Sequence, residues 1–195
     1  MVFLRTVPLS ESGPLIRGDR VWLRVPQTGD YADWAQLRGV SDSFLKPWEP
    51  EWSYDELTRS AFRRRLRHYQ RDMRDGLGYA FFLFRNGDNR LLGGVTLTNA
   101  RRGVSQSVSI GYWVGEPHAR QGYMTAAVGV LVPFVFESLG FHRIEAACLE
   151  SNAASRRLLE KCGFQHEGLA RKYLKINGQW QDHLLYAAIQ EDLRS

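Results

Sequence analysis

Two stretches of this sequence combine residue types and spacings that could do chemistry. The first reads Ile-Gly-Tyr-Trp-Val-Gly-Glu-Pro-His-Ala-Arg-Gln-Gly-Tyr-Met-Thr from Ile110 to Thr125. Its front half alternates like a strand, and its back half opens a helix at Gly122. A helix start exposes unpaired N–H groups and a partial positive charge, which suits it to holding a phosphate. Glycine at 122 would let backbone approach such a ligand closely, while Arg120 adds charge and Thr125 a hydroxyl. The second stretch, Arg143 to Phe164, predicts a strand and then a helix capped by Ser151 or Asn152, with Ser155 in its first turn. Taken singly, each also fits an ordinary strand-to-helix connection. The sequence contains no GxxxxGK[ST] and no GxGxxG, so triphosphate and dinucleotide binding are weak readings. Cys148 and Cys162 lack a histidine or basic partner at a telling spacing, which speaks against a covalent acyl-enzyme. There is no zinc-ligand cluster.

The elements that must position these residues follow from periodicity and punctuation. Val21–Val25 alternates and is a strand, and Thr28–Leu37 is a helix capped by Thr28 or Asp30. Ser10–Arg17 reads as an irregular lead-in, and Leu45–Pro50, with two prolines, as a loop. Ser53 with Glu56 three residues on is a capping box that predicts a helix running to about Arg74 and ending at Gly76 or Gly78. Strands follow at Tyr79–Arg85, Leu91–Asn99 and Ser105–Val114, the first two joined by the turn Asn86–Asn89. Gly122–Leu139 is a helix that Pro133 should kink. Arg143–Glu150 is a strand, the next helix runs to Lys161 with Gly163 at its C-cap, and two last strands flank Asn177–Gly178. This order is α+β: about seven strands, mostly antiparallel, with one β-α-β unit that creates a local parallel pair.

Bulk composition excludes several classes. The chain has 195 residues, 24% charged and 12% aromatic, which rules out a disordered chain. One domain is expected over 1–195, with its core at about 15–189. The apolar run Ala126–Phe136 is too short for a membrane span and contains Pro133. Met1–Arg17 lacks the cationic start and apolar core of a signal peptide, and the two cysteines read as free thiols, so a cytoplasmic location is expected. Net charge is +5, and only four of the 26 basic residues are lysines. That arginine bias reflects either genome composition or an anionic partner. It is densest from Arg59 to Arg74, where Ala61, Phe62, Leu66, Tyr69 and Met73 form an apolar stripe. The remaining faces are either a solvated basic surface or a contact for rRNA or an acidic protein.

In order, the two stretches resemble the acetyl-CoA-binding core of the GNAT N-acetyltransferase superfamily: a pyrophosphate loop, then an Asn-x-x-Ser helix ending in Lys-Cys-Gly-Phe. Three further segments, Phe44–Pro50, Gly168–Tyr173 and Ile176–His183, are similar to bacterial ribosomal-protein-alanine N-acetyltransferases of the RimJ/RimL type, closest to the RimJ branch. The resemblance spans about Leu15–Ile189. It implies a GNAT fold in which acetyl-CoA lies in a splayed gap between two parallel strands, here Ser107–Val114 and Arg143–Glu150. Trp113 and Val114 would offer backbone groups to the pantetheine arm and the thioester, with the Val114 N–H as oxyanion donor. Arg120, Gln121, Gly122, Tyr123, Met124 and Thr125 would hold the pyrophosphate, and Asn152 the pantetheine arm. Ser155 would stabilise or protonate the leaving thiolate. No metal is implied.

Two departures stand out against the family pattern. Ala119 occupies the place of its usual Gln or Arg, so either Arg120 compensates or the contact is absent. Leu159 occupies the place of a tyrosine that often serves as thiolate acid, which strengthens the case for Ser155. No carboxylate stands on Ser107–Ile110 as a general base. Glu49 is therefore preferred, acting through a water, with Asp182 and His183 as rivals; Trp48, Glu49, Tyr173, Asp182 and His183 form the expected acceptor side. A peptide α-amine, with pKa about 8, is neutral in roughly one molecule in ten at neutral pH, against fewer than about one in a thousand for lysine. A weak base therefore favours an N-terminal acceptor. The resemblance implies direct acetylation of an N-terminal Ala or Ser of a ribosomal protein. A small amine such as a polyamine or aminoglycoside is the closest rival. A non-enzymatic ribosome- or RNA-binding module is the rival of another class.

Overall fold

The computed structural model describes residues 13–194, and its strands make one eight-stranded sheet in the order β1-β2-β3-β4-β5-β6-β8-β7. These are β1 (Leu15–Arg17), β2 (Val21–Arg24), β3 (Tyr79–Arg85), β4 (Leu91–Arg101), β5 (Ser107–Val114), β6 (Arg143–Leu149), β7 (Gln165–Ile176) and β8 (Gln179–Ile189). The helices are α1 (Tyr31–Val40), α2 (Asp42–Leu45), α3 (Arg59–Arg74), α4 (Tyr123–Pro133) and α5 (Ala153–Lys161). Every neighbouring pair is antiparallel except β5 and β6.

The centre of the sheet is buried on both faces, and β3 shows how the sequence achieves it. Side chains alternate along a strand. Phe81 and Leu83 join α4 residues Val128, Leu131 and Val132 on one side, while Phe82 and Phe84 join Trp34 and Leu37 of α1 and Phe62 and Leu66 of α3 on the other. A strand so covered reads as continuous apolar sequence rather than as an alternating one.

Four expectations change. The lead-in from Ser10 lies partly outside the described residues, and from Leu15 it is strand β1, paired with β2. It makes eight strands where the sequence predicts seven. Asp30 does not cap α1; its carboxylate takes the Arg24 guanidinium at 2.6 and 2.7 Å and the Gln27 N–H at 2.7 Å. The Leu45–Pro50 loop contains a 3-10 turn over Lys46–Trp48, because Pro47 near the start of a helical turn lacks only an N–H that would be unpaired there anyway. The Ser53 capping box forms only a local turn. Helix α3 starts at Arg59 with Thr58 Oγ1 accepting the Ala61 N–H at 3.2 Å, while Glu56 is drawn to Arg38 and Arg65.

Pro133 does interrupt its helix. It cannot donate to the preceding turn, and Phe134–Ser138 continues as a π turn. Among the described residues no helix is long and apolar enough to cross a membrane. Much of the charge on α3 is met within the chain: Arg64 pairs with Asp55, Arg65 with Glu56 and Arg74 with Asp75, and Arg59 lies over the Tyr31 ring. Of the two readings of this helix, the rRNA contact is left without support.

Candidate active site

β5 and β6 pair over three residues only, Ser107↔Arg143 to Ser109↔Glu145. Beyond them β5 stays with β4 as far as Val114, and β6 stays with β8 as far as Leu149, so the two strands diverge. The divergence leaves backbone groups without a ladder. The Gly115 N–H donates to the Leu92 carbonyl across β4 at 2.9 Å. Strand alternation then turns the Val114 N–H, and with it that of Tyr112, away from β4 and toward the gap. Close pairing here depends on Gly93, where a Cβ would meet the Trp113 carbonyl oxygen at 2.2 Å.

A cavity of about 330 Å³ runs through this gap. Strand alternation divides its lining between the two faces of the sheet. On the α4/α5 face lie Tyr112, Cys148, Asn152 and Ser155. The Asn152 Oδ1 accepts the Ser155 N–H at 3.0 Å, so one side chain both caps α5 and sits at the cavity. The Ser155 hydroxyl is 2.7 Å from the Tyr112 hydroxyl. Burial pushes the Tyr112 phenol well above its usual range, against the opposing pull of Ser155. Burial also raises both thiols, Cys162 to about 11, which leaves neither a ready nucleophile.

On the opposite face lie Trp48, Pro50, Leu174, Lys175, Ile176 and His183. His183 pairs with Leu149 across β6 and β8, and ladder partners share a face, so it points away from Cys148. It is 2% exposed, with Nδ1 placed 3.0 Å from the Gln181 carbonyl oxygen. A carbonyl only accepts, so Nδ1 is the donor in this contact, and in the neutral ring Nε2 then keeps its lone pair. Tyr173 meets the His183 ring edge-on at 6.0 Å. Asp182 points elsewhere: its carboxylate accepts the Lys172 N–H at 2.9 Å and braces a bulge between Ala170 and Leu174. That bulge turns Leu174–Ile176 onto the cavity.

Glu49 does not line the cavity. Both its oxygens accept from the Arg38 guanidinium at 2.7 Å, and one also takes the Trp52 indole N–H at 2.8 Å. Arg38 is buried, with Trp52 and Trp113 rings 4.3 and 5.0 Å from its guanidinium carbon. Glu49 therefore ties the Lys46–Glu56 segment to α1. The Glu49 carbonyl also accepts the Asn177 N–H of the β7–β8 turn at 2.9 Å.

The loop from Gly115 to Gly122 enters α4. Ser41 Oγ accepts the Glu116 N–H at 2.8 Å, and Leu37 packs where a Gly115 side chain would be. Arg120 and Gly122 both have left-handed backbone, φ 59° and 77°, which bends the chain into the helix start. The side chains of Arg120 and Gln121 are exposed, whereas Tyr123 and Met124 are core residues that could offer only backbone N–H groups. Two residues escape the sequence reading. Arg20, from the β1–β2 turn, brings a guanidinium nitrogen to 3.2 Å from where a Gly122 Cβ would stand, with its guanidinium carbon 4.9 Å from the Tyr123 ring centroid. It carries no local signal, being a hundred positions from the loop. Tyr112 lies inside a stretch already singled out, and strand alternation from Val114 would have placed its side chain. Among the described residues no group of three His, Cys, Asp or Glu side chains could hold a metal.

A splayed parallel strand pair, with a helix start at one strand end and a capped helix at the other, is the arrangement that the sequence resemblance implies for an acyl-CoA-dependent transferase. The comparisons identify which one. The acetyltransferase (GNAT) domain family matches residues 20–165, and the chain belongs to that family. It is 35% identical over 178 residues to the Probable N-acetyltransferase YjcK of Bacillus subtilis, covering 91% of this chain and 98% of that one. It is 30% identical over 174 residues to the [Ribosomal protein uS5]-alanine N-acetyltransferase of Escherichia coli, covering 89% and 90%. The structure of Mycobacterium smegmatis RimJ in complex with CoA-disulfide superposes with a TM-score of 0.85 at 32% identity, covering 94% of this chain and 88% of that one. The protein is an acetyl-CoA-dependent GNAT N-acetyltransferase related to the ribosomal-protein acetyltransferases.

Proposed function

We propose that this enzyme, as a single domain acting in the cytoplasm, acetylates the N-terminal α-amine of a ribosomal protein, with alanine or serine at the first position. The observation that carries the reading is a cavity that passes through the sheet, with carbonyl-binding backbone and the Asn152–Ser155 pair on one face and His183 on the other. The thioester would lie along β5, its carbonyl oxygen accepting the Val114 N–H. Arg120, Gly122 and Arg20 would hold the pyrophosphate at the start of α4, and Asn152 the pantetheine arm. The acceptor amine would enter from the face carrying Trp48, which lines the cavity, and Tyr173, which stands beside His183; both rings are half-exposed.

The neutral amine attacks the carbonyl carbon as its surplus proton passes to His183 Nε2, directly or through a water. The C–S bond then breaks with its electron pair on sulfur, and the Ser155 hydroxyl donates a hydrogen bond to that thiolate. Both charges relax by exchange with solvent: the imidazolium loses its proton and the thiolate takes one. His183 is preferred over Glu49 because the Glu49 oxygens are already engaged. An α-amine, with pKa about 8, gives up its proton to a weak base far more readily than a lysine, with pKa about 10.4.

The test is a thermal melt with acetyl-CoA followed by turnover on short Ala- and Ser-terminated ribosomal peptides, with spermidine as the control. Ligand at about 100 times its Kd adds about 2.7 kcal/mol and raises Tm by several degrees. Turnover confined to the peptides supports the reading. Faster turnover of spermidine moves the acceptor to small amines, and a melt unchanged at millimolar acetyl-CoA removes the cofactor assignment.

A further inference from the structure

We infer that the Tyr112 hydroxyl is a positioning group for the leaving thiolate, holding the Ser155 hydroxyl so that its hydrogen points into the gap. The inference rests on the acetyltransferase reading and adds to it a residue from the strand opposite α5.

Three observations carry it. First, the two hydroxyl oxygens are 2.7 Å apart, a normal length for an O–H···O bond. Second, α5 fixes the Ser155 backbone through the Asn152 cap, so the hydroxyl can rotate only about its own side chain. Third, Tyr112 comes from β5 and Ser155 from α5, and both line the cavity, so the hydroxyl pair stands at the wall of the gap where the two strands part. Phenol and serine each have one hydrogen. Burial keeps Tyr112 protonated across the working pH range, so it is available as a donor throughout. When Tyr112 donates to Ser155 Oγ, the Ser155 hydrogen must point elsewhere, and the gap is where sulfur charge appears.

No proton leaves Tyr112. The amine nitrogen bonds to the carbonyl carbon, the C–S pair goes to sulfur, and the serine hydrogen bond meets that charge. Donation from Tyr112 polarises the serine O–H and strengthens this bond. The arrangement places a phenol near the leaving group from β5, where the family pattern would supply one from α5 at the position of Leu159. It reaches the thiolate through Ser155 rather than by contact.

The experiment is a kinetic cycle of Tyr112→Phe, Ser155→Ala and the double variant, with acetyl-CoA melts of each. Phenylalanine keeps the ring packing and removes only the hydroxyl. The expected result is a kcat reduced roughly three- to ten-fold in Tyr112→Phe, with KM for acetyl-CoA unchanged. In the Ser155→Ala background the same change has no further effect on kcat. An equal loss in both backgrounds would show a packing role and overturn the inference, as would an unchanged kcat in Tyr112→Phe. Where Ser155→Ala turns over too slowly to measure, the acetyl selenoester of CoA replaces the cycle. Selenolate leaves more readily, so the Tyr112→Phe deficit should shrink with it, and an undiminished deficit overturns the inference. A wild-type enzyme that is neither stabilised by acetyl-CoA nor active fails at the level of the proposed function instead.

Discussion

Replacing Glu49 by Gln separates a structural carboxylate from a catalytic one. In the folded protein Arg38 and Glu49 side chains are 6% and 20% exposed, and two 2.7 Å bonds join them. Glutamine keeps one carbonyl acceptor for the guanidinium, but it turns an NH2 donor toward a second donor and removes the charge. A hydrogen bond to a charged group contributes about 1.5–3 kcal/mol, and stripping one partner from a buried pair costs about 3–5 kcal/mol. The Glu56 carboxylate stands 3.9 Å from the same nitrogen and supplies part of the missing counter-charge. That puts the substitution near the lower limit, about 2 kcal/mol. At roughly 2–4 °C per kcal/mol for a chain of this size, Tm should fall by about 4–8 °C. The assay is thermal unfolding without ligand, paired with kcat on the best peptide acceptor at a temperature where the variant is folded. Glu49→Gln should retain most of its kcat. An unchanged Tm together with a hundred-fold loss of kcat would refute this reasoning and restore Glu49 as the base.

Three further outcomes follow from the geometry. Gly93→Ala drives a Cβ into the Trp113 carbonyl oxygen, so it should destabilise by about 1–3 kcal/mol and raise KM for acetyl-CoA by displacing Val114, measured by melts and initial rates. Asn152→Asp keeps the cap on Ser155 and should preserve Tm while raising KM for acetyl-CoA, whereas Asn152→Ala should lose about 1 kcal/mol as well. His118 lies buried in the loop before α4, and burial, with Arg85 and Arg90 nearby, lowers its pKa from 6.5 despite the opposing pull of Asp88. An unfolded chain then binds this proton more readily than the folded one, so stability is full above pH 6.5 and declines as pH falls from there toward the lowered value. His118→Gln should flatten that part of a Tm-against-pH curve.

Legibility in the sequence followed the range of the interaction that fixes each feature. The strand that became β3, the hairpin to β4 and the two strand-to-helix stretches are set by neighbours within a few residues, and their residues announce them. The Asn152 cap is local in the same way, as its 3.0 Å bond to the Ser155 N–H shows. Ser53 and Glu56 carry an equally good local signal that long-range forces override, since Glu56 is claimed by Arg38 and Arg65 and Thr58 caps the helix instead. The engagement of Glu49 by Arg38 is hidden for the same reason: the two lie in different elements, and no spacing reveals a bidentate pair beside two tryptophans. Strand β1 is three residues long, too short for a period, and owes its existence to the edge offered by β2. Preference for His183 needs the β8 register, which turns a histidine among several polar neighbours onto the cavity face.

The three-rung junction of β5 with β6 has a mechanical meaning. It divides the sheet into two stiff plates, five strands on one side and three on the other, sewn together by a short seam. Helix α4 packs on the larger plate, against β1, β2 and β5, and its apolar side chains share one core with Val108 and Ile144 from the two plates. A plate pair of this kind is rigid in its own plane and compliant about the seam. A cosubstrate whose arm runs between the open edges would act as additional stitching, and its departure as an unpicking. Stiffness of the protein would therefore track the chemical state of what it holds.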